Sequence, residues 1–392
     1  MFSEPKNVSN RVKRILIFSV AYQPLVGGAE LAVRNITDRL FNYEFDLITC
    51  RFRSQHPAEE KIGNVRVFRV GFGGTLGKYL YPVFALRLAS RLHRQSPYDL
   101  IWSIMAAYAG AAALLFLRRF PAVKYLLTLQ EGDALEYIQK RVRPFRKQWQ
   151  RIFRRADYIQ AISQFLADWA RIEGAVCPIE VVPNGVDLKK NTPTSSPPIL
   201  RSKTGGEREG VVIITASRLV PKNGVDILIR AMAELNTKKL QATSYKLQIV
   251  GSGPEEKKLK QLAKDLGVEN LIQFVGEVPP EGIPQYLASA DIFVRPSRSE
   301  GLGTAFLEAM ASGLPVIATP VGGIVDFLAD RQTGLFCKVD DPADLAKKIL
   351  LLLEDGFLRD QISKNGRLLV ENKYTWQEVA GQMEMVFKKL AV

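Results

Sequence analysis

The chain has 392 residues, 47% of them hydrophobic and 24% charged, which excludes a disordered or fibrous protein and predicts a globular one of two or three domains. Its three cysteines, Cys50, Cys177 and Cys337, form no CxxC pair, which argues against a disulfide framework or a thiolate metal site and fits a reducing compartment. The most apolar helix candidate, Met105–Leu117, is shorter than the roughly 20 residues that a membrane span needs. We therefore expect a cytoplasmic protein without an integral membrane segment.

The charge is distributed unevenly. Residues 1–190 contain 29 Lys and Arg against 16 Asp and Glu, net +13, whereas residues 191–392 contain 25 and 24, net +1, for a total of +14. A basic half beside a neutral half predicts an anionic partner on the first domain only. Nucleic acid would suit this charge, but no nucleic-acid-binding motif is visible and we expect no such partner.

Strand-like runs alternate with helical patterns through the first half. Arg14–Val20 predicts a buried strand and Ala29–Leu40 a helix. Gly27 and Gly28 lie in the turn between them, where an α/β sheet receives a phosphate, although a plain strand–helix turn is the alternative. Further strand candidates are Phe45–Cys50, Val65–Val70, Leu100–Ile104, Lys124–Leu129, Tyr158–Ile162 and Ile179–Val182. The alternation predicts a mainly parallel, doubly wound sheet that binds ligands at the carboxyl ends of its strands.

Two segments of this half carry polar residues of interest. Asp133 or Glu131, in the loop after Leu129, can contact the hydroxyl groups of a ligand, with a solvated loop as the alternative; two carboxylates without a third ligand are weak evidence for a metal. Lys140–Arg155 holds eight basic residues and no acidic one. Its apolar stripe fits a helix on an anionic membrane or one packed on the core, and the extreme charge favours the membrane. The residues expected there are Arg146, Lys147, Trp149, Arg151, Arg154 and Arg155.

The second half begins after a segment rich in Pro, Ser and Gly, residues 191–210, which predicts an interdomain linker. Arg218 and Lys222 stand between a strand, Val211–Ala216, and a helix, Val225–Leu235. Further strand candidates are Lys246–Val250, Leu271–Val275, Asp291–Arg295 and Pro315–Ala318. A helix pattern from about Thr375 to Leu390 closes the chain.

Two glutamates follow the strand that ends at Arg295. Glu300 stands in a Gly-rich loop and Glu308 on the helix after it, which starts near Gly303 and ends at Gly313. The loop brings Glu300, the backbone N–H groups of residues 301–304 and the helix dipole to one place. Amides suit a phosphate and carboxylates suit sugar hydroxyls, so the pattern favours a ligand with both. A turn with two solvated glutamates is the alternative.

These motifs, in this order, resemble the retaining, nucleotide-sugar-dependent glycosyltransferases of family four (glycosyl transferases group 1), and the resemblance spans nearly the whole chain. It implies the GT-B fold, an α/β class with two facing Rossmann-like, doubly wound parallel-sheet domains and an interdomain cleft. Residues 1–190 would bind the acceptor and residues 211–374 the nucleotide sugar. Residues 375–392 would form a helix that crosses back onto the first domain.

The resemblance also implies residue roles. Glu300 would bind the donor sugar and Glu308 the ribose, while Arg218 and Lys222 would stabilise the departing diphosphate without a metal or other cofactor. Other implied substrate-binding positions are Gly27, Gly28, Gln130, Asp133, Asn184, Val278, Gly301, Leu302, Gly303 and Thr304. Many family members have a catalytically important histidine where Gln130 stands, so that role is not carried over and no general base is assigned.

The implied activity is retaining transfer of a sugar from a nucleotide sugar to a hydroxyl of a lipid-linked or glycan acceptor, in the synthesis of cell-envelope polysaccharide. The implied location is the cytoplasm, with peripheral contact at the inner face of an anionic membrane. Two alternatives stay open. A nucleotide-sugar epimerase on the same scaffold would convert donor without an acceptor, and a non-catalytic nucleotide-sugar-binding subunit is conceivable because Gln130 departs from the family pattern.

Overall fold

The computed structural model describes residues 12–25, 27–74, 77–191, 210–237 and 245–391. The predicted linker, apart from its first and last residues, lies outside the described residues. Within them, no helix combines the length and the apolar character that crossing a bilayer requires.

The first domain is built on a sheet of eight described strands: β1 (Lys13–Phe18), β2 (Tyr43–Cys50), β3 (Glu59–Ile62), β4 (Val65–Val70), β5 (Leu100–Ile104), β6 (Lys124–Leu129), β7 (Tyr158–Ala161) and β8 (Ile179–Val181). The helices between them are α1 (Gly28–Thr37), α2 (Gly77–Gln95), α3 (Tyr108–Arg119), α4 (Leu135–Val142), α5 (Arg146–Arg155) and α6 (Gln164–Ile172). The strand order is β3-β4-β2-β1-β5-β6-β7-β8, and only the β3–β4 pair is antiparallel.

The sequence of β1 shows why this sheet is covered on both faces. Along the strand, Ile15 and Ile17 point into one apolar core while Leu16 and Phe18 point into another, and all four are buried. Successive side chains of a strand alternate between faces, so a sheet with helices on both sides needs a continuous apolar run. The predicted mainly parallel, doubly wound sheet is confirmed. The edge strand β3 escaped prediction because its sequence, EEKI, is short and polar.

The second domain repeats the plan with six described strands: β9 (Val211–Ala216), β10 (Tyr245–Val250), β11 (Ile272–Gly276), β12 (Ile292–Arg295), β13 (Val316–Ala318) and β14 (Leu335–Phe336). Its helices are α7 (Val225–Thr237), α8 (Glu256–Asp265), α9 (Ile283–Ser289), α10 (Thr304–Ala311), α11 (Pro342–Glu354) and α12 (Gly356–Lys373). The order β11-β10-β9-β12-β13-β14 is parallel throughout. Successive strands are thus added on one side of β9 and then on the other, so the strand order has a switch point between β9 and β12. The first domain has the corresponding switch point between β1 and β5. Such switch points are where open α/β sheets bind ligands.

The last helix, α13 (Trp376–Ala391), packs on the first domain rather than on the second. The Phe387 ring lies edge-on to Trp102 at 5.3 Å and to Tyr43 at 5.6 Å between centroids. Lys389 Nζ also lies 2.6 Å from a carboxylate oxygen of Glu180. The helix therefore ties the chain's end to the domain in which it begins.

The two domains also touch directly beside the cleft. The backbone N–H of Gln164, at the start of α6, donates to Asp326 Oδ2 at 2.6 Å, and Asp326 ends a short 3-10 helix, Gly322–Asp326. A Cβ on Gly323 would lie 2.6 Å from the Ser163 Cβ. Only a residue without a side chain permits so close an approach.

Candidate donor and acceptor site

A cavity of about 1170 Å³ lies between the carboxyl ends of the two sheets. Loops after β1, β5 and β6 line it from the first domain, and loops after β9 and β12 line it from the second. Both switch points therefore open into the same space. Of the predicted site residues, the cavity lining includes Gly27, Gly28, Gln130, Asp133, Asn184, Arg218, Lys222, Glu300, Gly301, Leu302, Gly303 and Thr304.

Two predicted positions lie away from this lining. Val278 is in the loop after β11, and the ribose candidate Glu308 is on α10, one turn beyond the lining residue Thr304. Glu308 is only partly exposed, and burial raises the pKa of its carboxyl to about 7, although the positive charge of Arg295 opposes that rise. A contact between Glu308 and a nucleotide stays a prediction.

The carboxylate of Glu300 is held by two donors. Arg295, buried at the end of β12, donates through Nη2 to Glu300 Oε1, and Ser297 Oγ donates to the same oxygen at 3.0 Å. The Arg295 guanidinium also lies over the ring of Phe306, 4.7 Å from its centroid. Hydrogen bonds to an ionised group are strong and directional, so Glu300 is oriented before any ligand arrives.

Arg295 is the functional candidate that the sequence reasoning missed. The signal was a charged residue at the end of an apolar strand, Ile292–Val294, immediately before Pro296 and five positions ahead of Glu300. A buried arginine requires an acidic partner, and the sequence offers carboxylates on both sides of it, at Asp291 and Glu300.

The loop after Glu300 presents backbone amides to the cavity. Gly303 has φ 90°, a left-handed conformation that favours glycine, and it precedes the first residue of α10. Among the described residues, none accepts a hydrogen bond from the backbone N–H groups of residues 301–304. A Cβ on Gly301 would lie 2.3 Å from the carbonyl oxygen of Glu131, across the cleft. Free amides at a helix start form an anion site.

Two cations face the cavity beside this loop. Arg218 is exposed, and its backbone carbonyl accepts a 2.7 Å hydrogen bond from Asn223 Nδ2 that fixes the turn. Lys222 Nζ reaches across the cleft to the carbonyl oxygen of Gly132 at 2.5 Å and to Asp133 Oδ1 at 3.2 Å. Lys222 thus bonds to the first domain. An anionic ligand in the cavity would replace Gly132 and Asp133 as the partner of this lysine.

The first domain contributes an incompletely bonded carboxyl group. Glu131 Oε1 accepts from the backbone N–H of Ala106 at 2.8 Å, while the buried Oε2 has no hydrogen-bond partner among the described residues. Burial raises the pKa of Glu131 to about 7. The adjoining Met105 has φ 68°, unusual for a residue with a side chain, and such conformations concentrate at functional sites.

Gln130 stands where the family resemblance implies a histidine in many relatives. It is 9% exposed, and its Oε1 accepts a hydrogen bond from Asn184 Nδ2 at 3.3 Å. A carboxamide donates and accepts hydrogen bonds but does not take up a proton as an imidazole does. Gln130 is therefore suited to positioning a substrate hydroxyl.

The prediction that Trp149 contacts a membrane is wrong. Trp149 is 7% exposed and packs against Trp169, with 6.1 Å between ring centroids, while Ile152 sits against Gly110 of α3, where a Cβ would come within 2.6 Å. The apolar face of α5 therefore belongs to the core. The cationic positions lie elsewhere on the helix: Lys147, Arg151 and Arg154 are exposed, Arg146 pairs with Glu173 at 3.1 Å, and Arg155 pairs with Asp157 at 3.3 Å.

Two protein-family models match this chain. The family model described as Glycosyltransferase Family 4 matches residues 26–190, and the model described as Glycosyl transferases group 1 matches residues 198–369. The two matches fall on successive halves of the chain and together cover most of it. The chain belongs to the group 1 glycosyltransferases of the family-four type. The predicted family and its GT-B fold are confirmed.

Individual relatives agree with this assignment. An uncharacterized glycosyltransferase of Methanocaldococcus jannaschii, MJ1178, is 27% identical over 97% of this chain and 99% of its own. A GDP-mannose-dependent monoacylated alpha-(1-6)-phosphatidylinositol monomannoside mannosyltransferase of Corynebacterium glutamicum is 35% identical, but over 60% of this chain and 63% of its own. The solved structure of Alr3699/HepE from Anabaena, in complex with UDP and glucose, is 22% identical over 95% of this chain and 99% of its own, with a TM-score of 0.76.

Proposed function

We propose that this glycosyltransferase retains the donor's anomeric configuration and moves a sugar from a nucleotide sugar to a hydroxyl of a lipid-linked or glycan acceptor. The observation that carries the proposal is the convergence of Arg218, Lys222, the free amides of residues 301–304 and the oriented Glu300 on one cavity. Cations and amides complement a diphosphate, and an oriented carboxylate complements sugar hydroxyls. These groups therefore suit the diphosphate and the sugar of such a donor.

The proposed chemistry requires no metal or other cofactor. As the bond between the sugar and the diphosphate breaks, the leaving diphosphate takes the electron pair, and Arg218 and Lys222 offset the added charge. The acceptor hydroxyl attacks from the same face, and the leaving phosphate accepts its proton. Glu131, which faces this space with an oxygen free of bonds to described residues, would hold the acceptor hydroxyl.

The lipid-linked acceptor draws support from a relative and from charge. The mannosyltransferase of C. glutamicum is named for a GDP-mannose donor and a phosphatidylinositol-based acceptor. Residues 1–190 carry the net +13, and Lys147, Arg151 and Arg154 are exposed on α5. We place the protein in the cytoplasm with these charges at the inner face of an anionic membrane, in cell-envelope polysaccharide synthesis.

The test is release of nucleoside diphosphate from UDP-, GDP- and ADP-sugars, with acceptors supplied and a chelator present, followed by determination of the product's anomeric configuration. One donor should react, and Lys222→Ala should lower the rate about 10²–10³-fold while the exposed control Lys257→Ala leaves it unchanged. Conversion of donor without an acceptor would favour the epimerase. Binding without transfer to any acceptor would favour the binding subunit.

A further inference from the structure

The cavity extends beyond the donor residues into a groove on the first domain, between α3, α4 and α5. The walls of this groove are apolar: Ala111, Leu114, Leu115, Ile138, Val142 and Phe145. The whole cavity, about 1170 Å³, exceeds the roughly 300–1,000 Å³ of an ordinary small-molecule site. Space therefore remains for a second ligand beside a nucleotide sugar.

Helix α3 sets the length and direction of the groove. Tyr108, Ala111, Leu115 and Arg118 all line the cavity and follow one another at helical spacing, so they share one face. Ten residues at 1.5 Å of rise extend over about 15 Å. Tyr108 begins the helix next to the loop after β5, which lines the donor cavity, and Arg118 lies near the far end. The groove therefore continues from the donor site for about 15 Å along α3, and its length suits an extended hydrocarbon chain.

The other wall is a helix that the protein itself leaves incompletely covered. None of the residues of α4 is buried, and its apolar residues Leu135, Ile138 and Val142 are only partly so. Leaving such a face against open space forgoes the free energy of apolar burial, and apolar surface left open in a cavity marks a ligand site. An apolar ligand between α3 and α4 would complete this packing.

The charges of the groove define the polar end of its ligand. The part of the lining that α3, α4 and α5 contribute includes Arg118 and Arg141 and no carboxylate. Burial raises the pKa of Tyr108 at the inner end, and the nearby positive charge of Arg141 opposes that rise; the Arg141 guanidinium lies 5.7 Å from the centroid of the Tyr137 ring. An arginine at the donor end of an apolar groove suits a phosphate attached to a hydrocarbon chain.

We propose that this groove binds the hydrocarbon chain of an anionic lipid acceptor, with the lipid phosphate at Arg141 and the acceptor hydroxyl directed to the donor site. The inference rests on the proposed glycosyl transfer and names its acceptor class. Tyr79, Tyr137 and Phe145 line the cavity and are 55%, 53% and 64% exposed. Tyr79 and Tyr137 lie beside Tyr108 and Arg141 at the donor end of the groove, and exposed aromatic side chains suit contact with a bilayer surface.

The test is calorimetric titration of the full chain with hexadecyl phosphate, octyl phosphate and inorganic phosphate, each below its aggregation concentration. Each methylene taken into the groove should improve affinity up to roughly fourfold, so hexadecyl phosphate should bind much more tightly than octyl phosphate and inorganic phosphate least. Leu114→Trp, which fills the groove, should weaken hexadecyl phosphate at least tenfold, whereas Leu368→Trp on the exposed side of α12 should not. Equal affinity for the two chain lengths, or an unaffected Leu114→Trp variant, would overturn the proposal.

A second variant removes the risk that Leu114→Trp fails to fold. Arg141→Gln changes an exposed side chain and should weaken hexadecyl phosphate several-fold more than Arg143→Gln, an exposed neighbour outside the lining; equal effects would overturn the role of Arg141. Titration of nucleotide sugars into the same samples separates the two proposals. Donor binding without hexadecyl phosphate binding would overturn the groove alone, and chain-dependent lipid binding without donor binding would overturn the proposed donor chemistry alone.

Discussion

The two walls of the cleft are prepared to different degrees. On the second domain, the Glu300 carboxylate is already bonded to Arg295 and Ser297, and Gly303 fixes the start of α10. On the first domain, Glu131 Oε2 has no partner among the described residues, and no side chain of α4 is more than partly buried. One wall holds its carboxylate in a fixed orientation beside amides that stay open to a phosphate, while the other leaves a carboxylate oxygen without a partner among the described residues and an apolar helix face only partly covered.

Under the proposed function, this difference matches what each wall would bind. A nucleotide sugar presents the same diphosphate and similar hydroxyls in every case, so fixed groups lower the cost of ordering the site at each encounter. Acceptors vary in shape. A wall whose packing is completed only by the bound acceptor can become specific for one acceptor without any change in the wall that binds the donor. We infer that specificity for the acceptor resides in the loop after β6 and in α3 and α4.

The largest expected effect concerns the support of the donor wall. Arg295→Met should lower the free energy of unfolding by about 3–5 kcal/mol, because it leaves the partly buried Glu300 carboxylate without its countercharge. Denaturant unfolding would measure this. The exposed Arg230→Met should change stability by no more than about 0.5 kcal/mol. Similar values for the two variants would contradict a prearranged donor wall.

A smaller expected effect is on turnover. Glu300→Gln preserves the shape of the side chain but removes its charge, and it should lower the rate of sugar transfer about 10²–10³-fold. The exposed Glu269→Gln should have no effect on the rate. A Glu300→Gln enzyme with the turnover of wild type would mean that the carboxylate serves only to neutralise Arg295.

The third effect depends on pH. The folded-state pKa of Glu308 is raised from 4.5 to about 7, so the folded protein binds this proton more tightly than the unfolded chain. Stability therefore falls as pH rises from about 4.5 to 7 and is level above that. Glu308→Gln should raise the free energy of unfolding by about 1–3 kcal/mol at pH 8 and by much less at pH 5. An equal change at both pH values would contradict the raised pKa.

The smallest effect tests the contact between the walls. Asp133 competes with a donor diphosphate for Lys222, but the pair is partly exposed and worth about 0.2–1 kcal/mol. Asp133→Asn should therefore improve nucleoside diphosphate affinity up to about fivefold in calorimetry. Asp168→Asn, which removes a carboxylate as exposed as that of Asp133 and breaks its pair with Arg171, provides the control. Weaker binding by Asp133→Asn would show that this carboxylate assists the donor instead.

The sequence predicted the donor wall better than the acceptor wall, for a physical reason. Glu300, Arg218 and Lys222 stand directly after predicted strands, and parallel strands bring their carboxyl ends to one edge. Arg295 was missed because its partnership with Glu300 depends on burial, and strand periodicity identifies the strand but not the bonds made at its end. Local pattern therefore indicated that these residues share one edge of the sheet, but it did not indicate the bonds that support Glu300.

The acceptor wall depends on packing between helices that no local pattern specifies. The stripe containing Trp149 fits a membrane or a core equally well, and the choice is made by Trp169 and by the close approach of α5 to Gly110. The groove beneath α4 is likewise a space between three helices, and periodicity describes each helix separately. Only the assembled structure shows the groove.

The measurement that tests the account most directly is the thermal shift caused by a panel of UDP-, GDP- and ADP-sugars, for the wild type, Lys222→Ala and Leu114→Trp. A ligand that binds only the folded protein raises its melting temperature. We expect one donor to stabilise the wild type and Leu114→Trp alike and to stabilise Lys222→Ala much less. Stabilisation that survives in Lys222→Ala, or that is lost in Leu114→Trp, would contradict the separation of a donor wall from an acceptor wall.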